Sequence, residues 1–264
     1  RATELPAVHV DAGIPDDATL EAEGARIGRI ELVIGNVFDP SVRAENNALY
    51  RLANTLHIRT RESTLRAQLL FRSGDRYSRR VLDETERALR AQRYLGDAEV
   101  VPVRYARGIV DVAVVTRDTW TFSPGISFGR KGGANSTSFE LQETNVLGRG
   151  KSLAFERAQD VDRTSYRIEW TDPNVYGTRW QMFAGYQDNS DGLRHSLSLD
   201  RPFFALDTRW AAGALLDRFD RFESRYVLGE LVDRFRQDQK VVEVHGGRST
   251  GLRGGWVRRW EAGF

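Results

Sequence analysis

The 264-residue sequence predicts an α+β unit followed by an antiparallel β-barrel that crosses a membrane. Apolar residues recur at helical spacing before residue 119, and short alternating runs separated by Gly, Asn, Asp and Pro replace them afterwards. All six tryptophans and eleven of the thirteen phenylalanines lie at or beyond residue 120. We therefore expect a leader or linker over residues 1–26, an α+β unit over 27–118 and barrel strands over 119–264.

The α+β unit is predicted to have the order strand, helix, helix, strand, strand. Apolar residues alternate over residues 29–35, which predicts the first strand. Leucines at helical spacing predict a short helix within residues 62–73, and Ser78 is of a type that caps a second helix. The face expected to be apolar consists of Val81, Leu82, Thr85, Ala88 and Leu89. Among the polar residues of this helix, Arg79, Arg80 and Arg87 are interpreted as solvated, with partner binding as the less favoured alternative.

Two further strands are predicted on either side of the turn at residues 106–108. Pro102 has no N–H to donate to a ladder, so the strand that contains it is expected at the margin of the sheet. A margin is where an extended partner adds by backbone hydrogen bonds. The candidate residues for this strand addition are Val100, Val101 and Val103.

The segment from residue 119 onwards has room for about eight to ten tilted strands. Its tryptophans favour a barrel over a soluble β-sandwich, because Trp170, Trp180 and Trp210 lie at predicted strand ends, as in the aromatic girdles of membrane barrels. No run of the sequence approaches the ~18 apolar residues of a membrane helix, so a membrane crossing would need strands. In the first barrel strand, Pro124 removes a donor and Gly125 weakens pairing, which predicts a weak seam.

Several classes of function are disfavoured by the composition. Lys and Arg number 39 against 37 Asp and Glu, so no nucleic-acid partner is expected. There are no cysteines, and His9, His57, His195 and His245 show no metal-ligand spacing, so we expect no metal, cofactor or catalytic site.

Two motifs resemble enzyme signatures. Gly125–Gly129 matches the G-x-S-x-G pattern of hydrolases around Ser127, with His195 and His245 downstream, but its alternation favours a continuing strand. Residues 145–152 end in Gly-Lys-Ser like a phosphate-binding loop, yet the alternating residues that follow predict a hairpin turn instead of a helix. A hydrolase and a soluble β-rich binding module are kept as alternatives from other classes.

The segments GRIELVIGNVF, STLRAQLLFRSGDRYS, LDETERALRAQRYLGDAEV and GIVDVAVVTRDTW resemble the POTRA domain that precedes the barrel in outer-membrane translocases of the BamA/TamA type. FELQETNVLGRGKSL is similar to an early barrel hairpin of that superfamily, with Asn145, Gly148 and Gly150 as its turn motif, and the resemblance covers about residues 27–264. It implies a β-α-α-β-β POTRA module followed by a transmembrane barrel. Family barrels have sixteen strands, so the chain is expected to end within the barrel.

The resemblance also implies a function without enzyme activity. The POTRA module would bind unfolded outer-membrane or secreted client proteins in the periplasm, and the barrel would insert or export them across the outer membrane. Outer-membrane lipid and periplasmic accessory proteins are the other expected partners. An exporter of a soluble partner, as in two-partner secretion, is the alternative within the same superfamily.

Overall fold

The computed structural model describes residues 5–131, 134–160 and 163–264. The chain divides into two compact units. The first, called here the α/β unit, comprises Arg1–Thr121 and Asn145–Gly150. The second, called here the β unit, comprises Phe122–Thr144 and Lys151–Phe264.

In its described residues the α/β unit contains a three-stranded sheet and four α-helices. Its elements are α1 (Asp17–Ala22), β1 (Arg26–Gly35), α2 (Ala48–Leu56), α3 (Glu62–Arg66), α4 (Arg79–Arg90), β2 (Leu95–Ala106) and β3 (Ile109–Asp118). The strand order is β1-β3-β2, with β1 parallel and β2 antiparallel to β3. The predicted series from β1 to β3 is therefore present, and α1 and α2 are additional. The margin position expected for β2 from Pro102 is confirmed.

The core of the α/β unit lies between the sheet and the helices. Leu82, Thr85 and Leu89 of α4 are buried, as its predicted apolar face requires. Around them pack leucines of α1 and α3 and valines of β2 and β3. The turn between β2 and β3 has positive φ at Arg107 and Gly108, the conformation that matches the twist of a hairpin.

The expectation of a leader or linker over residues 1–26 does not hold for residues 17–22. Residues 17–22 form α1, and Leu20 is completely buried in the core. Asp16 caps this helix by accepting a hydrogen bond from the Thr19 N–H at 2.8 Å. With six residues and one buried anchor, α1 is too short to show a period in the sequence.

None of the helices in the described ranges is long and apolar enough to cross a membrane.

The segment between β1 and α3, predicted only as a polar stretch, contains α2. Arg117 of β3 ties this segment to the sheet. Its buried guanidinium donates to the Val37 carbonyl oxygen and pairs with Glu45.

The β unit is a single antiparallel sheet. Its strands are β4 (Phe122–Lys131), β5 (Ala134–Glu143), β6 (Ser152–Gln159), β7 (Thr164–Asp172), β8 (Gln181–Asn189), β9 (Gly192–Arg201), β10 (Trp210–Val227), β11 (Glu230–Ser249) and β12 (Arg259–Gly263). Each pairs with its neighbours in the sequence, so β4 and β12 form the two margins of an open sheet. The nine strands of the described residues fall within the predicted eight to ten. This is consistent with part of a barrel.

The two faces of this sheet differ in chemistry. Alternation along the strands places large apolar side chains on one face, and they are exposed: Ile126, Ile168, Leu197, Leu199 and Leu216. The opposite face carries ion pairs, including Arg167 Nη1 with Glu156 Oε2 at 3.1 Å and Arg194 Nε with Asp217 Oδ1 at 3.0 Å. A sandwich would bury the apolar face against a second sheet, whereas a membrane barrel presents it to lipid.

The tryptophans lie near strand ends, as expected of a girdle. Trp180 directly precedes β8 and Trp210 begins β10, and their ring centroids are 6.1 Å apart in an edge-to-face arrangement. Trp170 lies close to the end of β7, and Trp210 is exposed. These positions differ from the buried centre that a soluble sandwich would require.

Candidate functional site

The turn that carries the predicted hairpin motif packs within the α/β unit. Residues Asn145–Gly150 belong to that unit by their contacts. Val146–Gly148 form a short 3-10 turn in which Leu147 has φ 55° and Gly148 has φ 72°. Both lie in the left-handed region, which glycine adopts without steric cost and leucine does not.

The Gly148 carbonyl oxygen is the main acceptor of this turn. It accepts hydrogen bonds from the Arg61 N–H and from the Thr64 hydroxyl, each at 2.9 Å. The Arg61 guanidinium donates from Nε to the Leu147 carbonyl oxygen, also at 2.9 Å. The start of α3 therefore holds the backbone of the turn by three bonds.

Asn145 is the polar centre of the site. Its side chain is buried, with 1% exposure, and both ends are used. Nδ2 donates to Thr60 Oγ1 at 2.9 Å, and Oδ1 accepts from the Gly150 N–H at 2.8 Å. A buried amide with both partners in place is a strong determinant of a single conformation.

A second layer of polar contacts orients Thr60. Its N–H donates to Asp118 Oδ2 at 2.8 Å, and His57 Nε2 lies 2.9 Å from the same oxygen. In the described residues, Asp118 Oδ1 and the Tyr94 hydroxyl are buried without a hydrogen-bond partner. Burial, and then the charge of Asp118, raise the pKa of the Tyr94 hydroxyl, so it stays protonated.

Close packing explains the two glycines of the motif. A Cβ added to Gly148 would overlap the Arg59 carbonyl oxygen. A Cβ on Gly150 would lie 2.7 Å from Cε1 of Tyr94. Asn145, Gly148 and Gly150 are thus brought together, and sequence reasoning missed their partners Arg59, Thr60, Arg61 and Thr64.

The turn has a twin in the β unit. Asn174–Gly177 repeats the sequence Asn-Val-x-Gly, and Tyr176 and Gly177 have φ 52° and 74°, close to Leu147 and Gly148. A Cβ added to Gly177 would meet nothing within 4 Å. The repeated Asn-Val-x-Gly was a signal in the sequence for two equivalent turns, but not for their different surroundings.

The predicted strand-addition margin is partly occupied. The Val100 N–H donates to Glu86 Oε2 at 3.1 Å, and its carbonyl oxygen accepts from Arg79 Nη1 at 3.3 Å. The Val103 carbonyl oxygen accepts from the Asp11 N–H at 2.9 Å. Val101 pairs with Ala113 of β3. Side chains and the N-terminal segment thus protect this edge from uncontrolled pairing.

We expect Glu86→Ala to expose the Val100 amide. Removing one acceptor of a part-buried N–H costs about 1–1.5 kcal/mol. Hydrogen exchange at Val100 should therefore accelerate about tenfold. Arg87→Ala, an exposed change on the same helix, is the control. Unchanged exchange at Val100 would mean that burial, and not the bond to Glu86, protects this amide.

The predicted seam residues lie in the marginal strand β4. Pro124 is opposite Leu141 and Gly125 is opposite Glu140 in a register with β5 that has no shift from Phe122 to Lys131. On its β5 side, β4 is therefore regularly paired despite Pro124 and Gly125. Whether its other edge forms a weak seam stays a prediction.

The structure does not support the enzyme motifs. Ser127 lies inside β4 opposite Ser138, so Gly125–Gly129 forms no strand-to-helix elbow. Lys151 is followed by β6 and forms an ion pair with Asp172 at 2.7 Å instead of beginning a phosphate-binding helix. Within the described ranges, no three His, Asp or Glu side chains form a group that could hold a metal.

The remaining arginine and histidine candidates lie beside acidic or aromatic side chains, except for the exposed Arg87. Arg79 Nη2 pairs with Asp83 at 2.6 Å and Arg80 Nη1 with Glu84 at 3.0 Å, while Arg87 is exposed. His9 is 3.4 Å from Asp11, His195 lies beside the Tyr186 ring, and His245 is 3.6 Å from Asp200.

Comparisons with known proteins find relatives by structure alone. No protein-family model and no curated protein matches the sequence. The crystal structure of BamA from Haemophilus ducreyi lacking POTRA domains 1–3 is 14% identical and has a TM-score of 0.46, covering 89% of this chain and 48% of that one. CdiB from Acinetobacter baumannii is 13% identical and has a TM-score of 0.51, covering 92% of this chain and 46% of that one. The chain spans just under half the length of each.

The similarity to CdiB concerns the fold, because the sequence identity is low. The chain therefore shares the fold of CdiB over most of its length.

Proposed function

We propose that this chain is part of an outer-membrane translocase that moves unfolded polypeptide into or across the membrane. The observation that carries the proposal is the two-faced sheet of the β unit. Its exposed apolar side chains match a lipid-facing wall, and the ion pairs on the other face match the polar interior of a barrel. The shared fold of a β-barrel translocase agrees with this function.

In this proposal the α/β unit is a POTRA module that receives clients in the periplasm. The order β1-β3-β2 leaves β2 at a margin, where an extended chain can pair through its backbone. Val100, Val101 and Val103 remain the proposed edge, and a client has to displace the bonds from Arg79, Glu86 and Asp11. These bonds protect the edge from other strands while no client is bound, and a client can displace them.

The β unit provides a second edge in β4. This strand is paired on one side with β5 and forms a margin of the described sheet on the other. Pro124 and Gly125 would keep pairing at that margin weak enough to open, so that a client strand can add there. Clients would be unfolded outer-membrane or secreted proteins, with outer-membrane lipid around the barrel and accessory proteins in the periplasm.

Crosslinking tests whether β4 receives clients. The sequence contains no cysteine, so a single Ser127→Cys change gives one reactive thiol on this strand. After refolding into lipid vesicles, we expect it to form disulfides with cysteines in the last strand of an unfolded outer-membrane protein. The measurement is the yield of crosslinked product on a non-reducing gel.

Ser198→Cys is the matched control. Ser198 lies in β9 and has a strand on both sides, opposite Phe183 and Leu215. Its crosslinking should be at least several-fold lower. Equal yields at the two positions would count against β4 as the receiving edge, and no crosslinking with any unfolded client would count against translocation.

Export of a soluble partner is the second candidate function. The fold match to CdiB favours it, because CdiB is a two-partner-secretion exporter. The same vesicles distinguish the two: an inserted client becomes resistant to carbonate extraction, whereas an exported one is recovered in the lumen.

A further inference from the structure

Helix α2 carries a row of exposed leucines. Leu49, Leu52 and Leu56 are 69%, 55% and 65% exposed, and their spacing of three and four residues places them on one stripe. Ile58, just beyond the helix, is also exposed. None of the residues of α2 is buried. An apolar stripe on a surface helix ordinarily faces the core, so this one requires an explanation.

The other face of α2 is fixed by specific contacts. Tyr50 stacks on Phe38 with ring centroids 4.0 Å apart. Asn54 Nδ2 donates to the Phe38 carbonyl oxygen at 2.7 Å, and Asn54 Oδ1 accepts from the Phe38 N–H at 3.0 Å. His57, at the end of the helix, contacts the buried Asp118. These contacts hold the leucines outward.

The segment that carries the stripe, between Glu45 and Glu62, has charge of one sign. From Asn46 to Arg61 the chain contains Arg51, Arg59 and Arg61 and no Asp or Glu. All three arginines are exposed, and Arg51 lies within α2. Arg59 and Arg61 each donate one guanidinium N–H to a backbone carbonyl oxygen, and a guanidinium has further N–H groups that can bind an anion. Helices that combine an apolar stripe with basic residues bind anionic bilayer surfaces. An extended client that binds by strand addition needs free backbone groups, which a helix face does not offer.

We propose that α2 binds the surface of an anionic phospholipid bilayer, with Leu49, Leu52 and Leu56 in the acyl boundary and the arginines at the headgroups. The contact would hold the α/β unit at the membrane. It is independent of the proposed translocation, because it needs neither an open margin at β4 nor a client.

A fluorescent label at residue 52 tests the proposal. Leu52→Cys provides a unique thiol for an environment-sensitive dye such as NBD. The full chain is refolded with vesicles of phosphatidylcholine, with or without phosphatidylglycerol, that contain nitroxide-labelled lipid. We expect blue-shifted emission and quenching by the lipid nitroxide several-fold stronger than for a label at Arg87→Cys, which is exposed on α4.

Two further comparisons make the result specific. Adding Leu49→Gln and Leu56→Gln to the Leu52→Cys chain should return the label to water, and these exposed changes leave the packed face of α2 intact. Removing phosphatidylglycerol should weaken quenching several-fold, because the arginines lose their anionic partners. Quenching no stronger than at residue 87, or equal in the two lipid mixtures, would overturn the proposal. If the label were shielded from water only when an unfolded client is present, the stripe would bind polypeptide instead of lipid, and the proposal would also be overturned.

Discussion

Gly148→Ala is expected to release the Asn145–Gly150 turn from its contacts with residues 59–64. Alanine at φ 72° costs about 1–2 kcal/mol of backbone strain. The overlap of its Cβ with the Arg59 carbonyl oxygen adds overpacking of about 1–3 kcal/mol. The Arg61 amide donates to the Gly148 carbonyl oxygen, so it should lose roughly a hundredfold of its protection from hydrogen exchange.

The twin turn supplies the control for this experiment. Gly177 has φ 74° but open space around its Cβ, so Gly177→Ala introduces the strain without the overlap. Hydrogen exchange measured by mass spectrometry on the refolded chain in detergent compares the two variants. If Gly148→Ala were no more disruptive in its turn than Gly177→Ala, close packing at Arg59 would not be the reason for the glycine.

Asn145→Ala is the second change with a large expected effect. It removes both hydrogen bonds of the buried amide and leaves Thr60 Oγ1 and the Gly150 N–H without these partners. Two such losses in a buried site cost about 2–4 kcal/mol. We expect the urea midpoint of the α/β unit to fall and exchange at Thr60 and Gly150 to increase.

Asn174→Ala is the matched change in the twin turn. Its side-chain Oδ1 is buried without a hydrogen-bond partner in the described part of the chain, so little should be lost. A double-mutant cycle with Thr60→Val isolates the contact between Asn145 and Thr60, with an expected coupling of about 1 kcal/mol. Zero coupling, or equal effects of the two alanines, would show that Asn145 is not the polar centre of the site.

Elements with local patterns could be predicted from the sequence. Helix α4 has a full apolar face and the β2–β3 hairpin has a marked turn, so both were found close to their observed bounds. Helix α2 was missed because its leucines face outward and polar side chains hold its inner face. Helix α1 was assigned to a linker because one buried leucine makes no period.

At the candidate site, too, the local motif could be predicted from the sequence but its distant contacts could not. Asn145, Gly148 and Gly150 were recognised as a turn motif, yet Asn145 bonds to Thr60, 85 residues earlier in the chain. Local spacing carries no information about such a partner. The same holds for Val100, whose margin position followed from Pro102 but whose bonds to Glu86 and Arg79 depend on how α4 packs.

By itself the sequence determined the change from helical to alternating period near residue 119, the approximate number of strands, the margin position of β2 and the presence of a hairpin turn within residues 145–152. These follow from side-chain periodicity and backbone sterics, which act over a few residues. Only the tertiary structure decided that the turn is bound by Arg59–Thr64, that the β2 edge is already bonded, and that the leucines of α2 face outward. Those outcomes depend on contacts between residues distant in sequence, where packing and hydrogen bonding outweigh local preference.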